Sequence, residues 1–250
     1  MLTLQEFSDL YLSAISPVLP GFDSLYPAAS DPQAVENLYA VTSKLIDNAK
    51  KFNLTSILEP TEIIRKHLID SLIPLGLMKN AGISFTSLLD IGTGAGFPLL
   101  PMACVTPDAS FMGMDSTAKK ISHIRETAEY ARLPHVSGTA GRAEELAHGP
   151  LRESFDLVCA RAVASLPVLI ELCAGFVTPG GHFCALKSHV EDELEEADGA
   201  GKLLGLTNIA LIPYEIPGGD TRTLVIYRKI ARTPAKYPRR YAEITKRALS

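Results

Sequence analysis

The stretch Ser87-Leu88-Leu89-Asp90-Ile91-Gly92-Thr93-Gly94-Ala95-Gly96-Phe97-Pro98 decides the fold of this chain. An apolar run that ends in an acid passes here into a loop with glycine at every second position. The run is typical of a buried strand, and a glycine loop lets the backbone approach a ligand closely. Strand, acid, glycine loop and helix in this order indicate a ligand-binding turn of an α/β protein. The alternative is a tight structural turn without a ligand.

The chain that follows this loop repeats the pattern of apolar run and helix. Further runs typical of strands cover 110–115, 135–140, 155–160 and 181–187. Helical stretches separate them, and this alternation predicts a parallel, doubly wound sheet. Two last runs flank Pro217-Gly218-Gly219-Asp220, a set of turn residues, and therefore predict an antiparallel hairpin over 207–216 and 222–229.

The chain that precedes the loop is predicted to be helical. Apolar residues recur at helical spacing in Thr3–Ile15 and Pro32–Phe52, and Pro60 opens a third such segment. We therefore expect a helical cap over 1–76, a linker near 76–84, a ligand-binding α/β domain over 84–232 and a basic tail over 233–250.

Composition excludes several classes of protein. The 250 residues are 46% hydrophobic and 21% charged, as in ordinary globular proteins, which excludes disordered and fibrous chains. No apolar segment reaches the roughly 20 residues of a membrane span, and the N-terminus carries acids where a signal peptide is basic. The four cysteines form no C-x-x-C pair, so we expect buried thiols and neither disulfides nor a metal site. A cytoplasmic protein is expected.

Charge is unevenly distributed along the chain. The net charge is −4, but residues 222–250 contain nine basic residues and one acid, a balance of +8. The rest of the chain therefore carries −12. One interpretation is that the C-terminal end binds a polyanion, and its free part would then begin near Arg232; the other is that it only adds solubility.

The loop spacing narrows the class of ligand. A nicotinamide-binding loop reads G-x-G-x-x-G, whereas Phe97 stands at the third glycine here, and no G-K-[ST] of a P-loop follows. A nucleoside-like ligand without a pyrophosphate is favoured. Asp115, at the end of the next predicted strand, would accept hydrogen bonds from ribose hydroxyls, or would cap a helix. Glu144 would lie at the edge of an adenine ring. The alternative is an exposed acid in the first turn of a helix, where the helix dipole favours a negative charge.

The residues resemble those of the class I S-adenosylmethionine methyltransferases, and within them the RsmG (GidB) family of 16S ribosomal RNA guanine-N7 methyltransferases. The resemblance runs from about residue 38 to 239. Its motifs are Asn53-Leu54-Thr55, Arg65-Lys66-His67-Leu68-Ile69-Asp70-Ser71-Leu72, the glycine loop, Asp115-Ser116 with Lys119-Lys120, Ala143-Glu144, Ala160-Arg161-Ala162-Val163-Ala164 and Thr233-Pro234-Ala235-Lys236-Tyr237-Pro238-Arg239.

The resemblance implies a fold, a cofactor and a site. The expected fold is a Rossmann-like class I methyltransferase with a seven-stranded, mostly parallel sheet, a C-terminal antiparallel hairpin and an N-terminal helical cap. The expected cofactor is S-adenosylmethionine, with no metal. The resemblance implies that Gly92, Phe97, Ala143, Glu144 and Arg161 bind the cofactor. The glycine loop and the strand end add Asp90, Gly94, Gly96 and Asp115 to the expected cofactor-binding residues. The expected substrate-binding residues are His67, Lys119, Lys120, Lys187 and Arg239.

Guanine N7 needs no general base, because it is an unprotonated lone pair that requires only in-line positioning. Arg161 is the candidate active-site residue, since it ends the fourth strand and would hold the cofactor carboxylate or a phosphate. Its alternative is a salt bridge to Asp156 or Glu171. His67 and Asp70 are three residues apart and would share a helix face. That face would contact RNA, dock the cap on the sheet, or be an ordinary exposed surface. Lys119 and Lys120 would face RNA, or would simply be solvated.

The resulting hypothesis is an enzyme that methylates a guanine N7 of 16S rRNA, with the rRNA or the small ribosomal subunit as partner and a monomer as the expected state. One alternative is a class I methyltransferase acting on another RNA, a protein or a small molecule. Another is a ribosome assembly factor that binds S-adenosylmethionine without catalysing a reaction.

Overall fold

A seven-stranded mixed sheet forms the centre of the chain in the computed structural model, which describes residues 2–16, 19–161 and 163–249. The strand order is β3-β2-β1-β4-β5-β7-β6, in which β1 to β5 are parallel and β7 is antiparallel to both β5 and β6. The strands are β1 Ser87–Ile91, β2 Ser110–Asp115, β3 Val136–Ala140, β4 Phe155–Arg161, β5 Val177–Lys187, β6 Leu206–Glu215 and β7 Thr221–Lys229. The predicted sheet and hairpin are confirmed.

Helices precede and connect these strands. The cap comprises α1 Leu4–Ala14, α2 Phe22–Ala29, α3 Pro32–Phe52, α4 Pro60–Ile63, a π-helical turn Ile64–Ile69 and α5 Asp70–Asn80. The sheet helices are α6 Leu99–Val105, α7 Ala118–Tyr130, α8 Ala143–Leu146, α9 Leu166–Ala174, a short 3-10 turn Glu191–Glu193 and α10 Leu194–Leu204, and α11 Tyr241–Lys246 follows the sheet.

Alternate strand residues form two hydrophobic cores on the two faces of the sheet. Leu88 and Leu157 face the first core, which the cap helices and α6 share. Leu89 and Val158 face the second core, against α9 and α10. The cap is therefore packed on the sheet. The connection between them begins later than expected, because α5 continues through Gly76 to Asn80.

The C-terminal segment is packed on the protein, which corrects the expectation that it is free from about Arg232 onward. Ile244 of α11 is fully buried in the second core. Arg239 donates to Glu171, which is itself fully buried in α9. Lys229 is also buried and donates to the carbonyls of Ala174 and Leu204. Charge counting cannot separate such internal cations from cations that face a partner.

Within the described ranges, no helix is long and apolar enough to cross a membrane. The same residues hold no cluster of three or more potential metal ligands. All four cysteines are free and buried.

Candidate functional site

The glycine loop is fixed to the end of β2 by backbone hydrogen bonds. The amides of Gly92 and Thr93 donate to the carbonyl of Met114 at 2.8 and 3.0 Å. Gly92 has φ +71°, and a Cβ there would lie 2.5 Å from a methyl of Val163. Gly94 has φ +56°, and a Cβ there would meet little besides the Gly92 carbonyl oxygen at 3.7 Å. The loop is therefore left-handed at both positions and open at Gly94, as close approach of a ligand requires.

Asp115 lies beside this loop at the end of β2 and is 7% exposed. Its Oδ1 accepts from the amide of Thr117 at 2.8 Å, and its Oδ2 accepts from the amide of Gly94 at 3.2 Å. Lys120 Nζ lies 3.5 Å from Oδ2. The carboxylate thus organises the loop and retains lone pairs for a ligand. It does not cap α7, whose N-cap residue is Thr117.

A cavity of about 260 Å³ opens at this edge of the sheet, at the carboxyl ends of β1, β2 and β3. Its lining includes four of the predicted cofactor residues, Gly92, Asp115, Ala143 and Glu144, together with Lys120, Arg142, Val163 and Tyr241. We refer to it as the cofactor cavity. Lys120, expected to contact the substrate, therefore faces this cavity instead.

Asp90 lies beneath the loop, 1% exposed, and neither carboxylate oxygen makes a hydrogen bond of standard geometry within the described structure. Burial raises the pKa of Asp90 to about 7, and the Thr93 hydroxyl and the Arg161 guanidinium oppose that shift. Gly96 is packed against Leu100 and Ile124. These two predicted cofactor residues shape the loop from inside.

Phe97 joins the glycine loop to the cap. Its ring stacks on His67 with centroids 4.7 Å apart, and the Arg161 guanidinium carbon lies 5.8 Å from its centroid. Arg161 Nη1 donates to Asp70 Oδ2 at 3.2 Å. The predicted residues Phe97, His67 and Arg161 therefore form one cluster, which we call the aromatic cluster. The salt-bridge alternatives named Asp156 or Glu171 as the partner of Arg161 and are wrong, because Arg161 pairs with Asp70. Glu171 pairs with Arg239 instead.

The π-helical turn Ile64–Ile69 positions the cap residues of this cluster. Such turns widen a helix locally and are frequent at functional sites. His67 Nε2 lies 3.1 Å from Thr55 Oγ1. Thr55 lies two residues after Asn53, which ends α3 in the left-handed conformation. Burial, and then the Arg161 charge, lower the pKa of His67 to about 4, so the imidazole is neutral at pH 7.

A second cavity, of about 540 Å³, lies between the cap and the ends of β4, β5 and the hairpin. Its lining includes Lys66, His67, Asp70, Arg161, Lys187, Tyr214 and Arg222. We call it the substrate cavity. Asp70 Oδ1 lies 3.5 Å from Arg222 Nε, and neither that oxygen nor the Tyr214 hydroxyl makes a hydrogen bond of standard geometry within the described structure. Burial raises the pKa of Asp70, and the charges of Arg161 and Arg222 oppose this effect.

The remaining predicted substrate residues have different surroundings. Lys187 lines the substrate cavity while its Nζ lies 2.9 Å from Glu193 Oε2. Lys119 is exposed on α7. Arg239 is half-buried and pairs with the buried Glu171 at 2.6 Å, outside both cavities. Its guanidinium is thus already engaged by a carboxylate.

Sequence reasoning missed Tyr214 and Arg222 as site residues. They are direct cross-strand partners in the β6–β7 hairpin. The hairpin was predicted without its register, and only the packing of the cap brings this end of the hairpin to Asp70. Thr55 was seen only as part of a motif, although its hydroxyl fixes the orientation of His67.

The two cavities are lined by residues close together in the chain: Arg161, the last residue of β4, lines the substrate cavity, and Val163 lines the cofactor cavity. The intervening Ala162 lies outside the described residues. A nucleoside-like ligand bound along Gly92, Asp115 and Glu144 would therefore present one end toward the aromatic cluster. A second ligand in the substrate cavity would approach that end from the cap side.

Comparison with known proteins identifies relatives of this chain. A family model described as rRNA small subunit methyltransferase G (GidB) matches residues 34–213. A protein named ribosomal RNA small subunit methyltransferase G from Acetivibrio thermocellus is 36% identical over 222 residues, covering 88% of this chain and 90% of that protein. One of the same name from Lachnoclostridium phytofermentans is 42% identical over 199 residues, covering 78% and 81%.

Solved structures agree on the fold. A SAM dependent methyltransferase from Aquifex aeolicus superposes with a TM-score of 0.52 at 16% identity, covering 74% of this chain and 98% of that chain. The class I methyltransferase fold is therefore confirmed.

Proposed function

Because the chain belongs to the rRNA small subunit methyltransferase G family, we propose that it is an enzyme that transfers a methyl group from S-adenosylmethionine to N7 of a guanine in 16S ribosomal RNA. The substrate would be the rRNA itself or the small ribosomal subunit. On the same basis we propose a cytoplasmic enzyme.

The residues of the cofactor cavity fit S-adenosylmethionine. Gly94 leaves space for close approach, and Asp115 offers two carboxylate oxygens to ribose hydroxyls. Glu144 adds a second carboxylate to the lining. Carboxylates suit a ligand that carries a positive sulfonium. When bound, S-adenosylmethionine supplies a methyl group whose carbon accepts the N7 lone pair as the carbon–sulfur bond breaks to leave a neutral thioether.

The substrate cavity suits a guanine base. Guanine presents N7 and O6 as acceptors on one edge and N2–H₂ as a donor on the other. The buried Asp70 Oδ1 is an acceptor for that donor edge, which leaves N7 free to point toward the cofactor cavity. Lys66 and Arg222 at the same cavity would hold phosphates of the RNA chain.

The charges of the cluster agree with N7 chemistry. No proton has to leave N7, and the neutral His67 supplies no charge against the purine, which becomes positive on methylation. Asp70 Oδ2 lies 3.2 Å from Arg161 Nη1, and the Asp70 carboxylate at the substrate cavity would favour a developing positive charge. Arg161 would orient the base or a phosphate from the end of β4.

One observation carries this proposal: Arg161 at the end of β4 lines the substrate cavity and Val163, two residues later, lines the cofactor cavity, so a cofactor and a base bound in them would lie close to each other. The test is transfer of a labelled methyl group from S-adenosylmethionine to 16S rRNA or to small subunits from cells that lack this protein. We expect incorporation by the wild type and loss of it with Arg161→Ala. Binding of S-adenosylmethionine and rRNA without transfer would favour the assembly factor, and transfer to another substrate alone would favour the other methyltransferase classes.

A further inference from the structure

The C-terminal segment supplies part of the wall of the cofactor cavity. Tyr241, the first residue of α11, lines that cavity together with Asp115 and Glu144. Residues 239–249 lie beyond the 34–213 range that the family model matches. The contribution of this segment therefore has to be read from its own contacts.

A set of partly buried hydrogen bonds fixes the segment before Tyr241. Arg152 donates through Nη1 to the carbonyl of Tyr237 at 3.0 Å and through Nη2 to that of Thr233 at 2.7 Å. Arg239 donates to Glu171 through its backbone amide and Nε, both at 2.9 Å, and through Nη2 at 2.6 Å. A guanidinium fork on a fully buried carboxylate is a rigid anchor.

A second anchor follows Tyr241. Ile244 is fully buried in the core that α9 shares. Arg239 Nη2 also donates to the carbonyl of Arg247 at 3.0 Å, so the start and the end of the last helix are tied together. Tyr241 is thus held between two anchors, only two residues after Arg239, and its position at the cavity is determined by the fold.

The surroundings of the Tyr241 ring are those of an aromatic platform. The Arg142 guanidinium carbon lies 5.2 Å from the ring centroid. Arg142 immediately precedes Ala143 and Glu144 and lines the same cavity. Tyr241 remains 38% exposed and lines the cavity, so it has surface available for a ligand. Purines stack on aromatic rings through their π faces, and an adjacent guanidinium strengthens such a contact.

We propose that Tyr241 is a cofactor-binding residue whose ring contacts the purine of the adenosyl ligand, and that the Glu171–Arg239 pair is the positioning element that holds it there. This inference rests on the proposed function, because it takes an adenosyl compound as the ligand. It also gives the C-terminal basic segment a role at the cofactor site.

The chain contains no tryptophan, which permits a direct optical test. Tyr241→Trp places a single indole at the cavity, and Tyr130→Trp places one on exposed α7 as a matched control. The probe is S-adenosylhomocysteine, titrated while indole fluorescence is followed. We expect saturable quenching in the first variant and a flat response in the second.

Calorimetry with the same probe supplies the second measurement. Tyr241→Ala is expected to weaken binding on the order of tenfold, whereas Tyr241→Phe retains the ring and is expected to bind like the wild type. Arg239→Met is expected to weaken binding as well, through the displaced ring. Thermal unfolding of each variant separates these effects from loss of fold.

The outcomes separate the two proposals. A wild type that fails to bind S-adenosylhomocysteine overturns the proposed function and this inference together. A wild type that binds, with Tyr241→Ala equal in affinity and the indole at 241 unaffected by ligand, overturns only the role of Tyr241. Equal losses of affinity in Tyr241→Ala and Tyr241→Phe would show that the hydroxyl, and not the ring, contributes to binding, and would also overturn the stacking proposal.

Discussion

Replacement of Asp115 by alanine should separate cofactor binding from folding. The carboxylate is 7% exposed and accepts one backbone hydrogen bond on each oxygen, from Thr117 and from Gly94. Each oxygen has a further lone pair for a ribose hydroxyl. Hydrogen bonds to a charged acceptor contribute about 1.5–3 kcal/mol each. Because the freed hydroxyls regain water, we expect a net loss of about 2 kcal/mol in binding, or about thirtyfold in Kd.

The assay is calorimetric titration with S-adenosylhomocysteine, accompanied by thermal unfolding. The matched control is Asp156→Ala, at the opposite end of the sheet. There the carboxylate accepts from the Thr86 amide and hydroxyl and from the Ser87 amide at 2.7–3.2 Å. The control should lose stability and keep affinity. An Asp115→Ala protein that is folded and binds as tightly as the wild type would refute the assignment of Asp115 to the cofactor.

Three further variants test the other groups. Arg161→Lys keeps the charge but loses the planar fork, so methyl transfer should fall more than tenfold while cofactor affinity stays near wild type; full activity would remove Arg161 from the site. Arg239→Met leaves the buried Glu171 unpaired and should lower the free energy of unfolding by about 3 kcal/mol in urea denaturation. An Arg239→Met protein as stable as the wild type would contradict the conclusion that Arg239 compensates the buried charge of Glu171. The pKa of His67 is about 4 when folded and 6.5 in its ordinary range, so the unfolded chain binds more protons between these values. Stability should therefore fall as pH decreases from 7 to 5, by up to about 2 kcal/mol more in the wild type than in His67→Gln; parallel pH profiles would show that the imidazole is not buried neutral.

Local sequence signals predicted much of the fold, because they act over a few residues. The helix Pro32–Phe52 has the expected limits, since Asp31 caps its first turn and Pro32 stands at its first position. Asn53 ends it in the left-handed conformation. In contrast, the short helix Phe22–Ala29 was not predicted; it spans only eight residues and contains Pro27.

The site was predictable where it depends on strand ends. Gly92, Asp115, Ala143 and Glu144 line one cavity because parallel strands bring their carboxyl ends to one edge. The partner of Arg161 was not predictable in this way. Asp70 is 91 residues distant in sequence, and its approach depends on how the cap packs.

The role of the basic end was the least predictable feature. Nine cations in 222–250 suggested either polyanion binding or solubility, but Lys229 donates to buried carbonyls, Arg239 pairs with the buried Glu171 and Arg222 lines the substrate cavity. Long-range pairs such as Glu171–Arg239 leave no local pattern in the sequence. Arg232, Lys236, Arg240, Lys246 and Arg247 are exposed, so contact of this end with RNA remains a prediction for those five.

The central claim is methyl transfer to guanine N7, and the most direct measurement is the identity of the methylated nucleoside. S-adenosylmethionine with a deuterated methyl group is incubated with the protein and small-subunit rRNA from cells that lack it, and the digested nucleosides are identified by mass spectrometry. We predict deuterated 7-methylguanosine as the product. Deuterium in a different nucleoside would contradict the claim of methyl transfer to guanine N7. The absence of label from a protein that binds S-adenosylhomocysteine would contradict it as well.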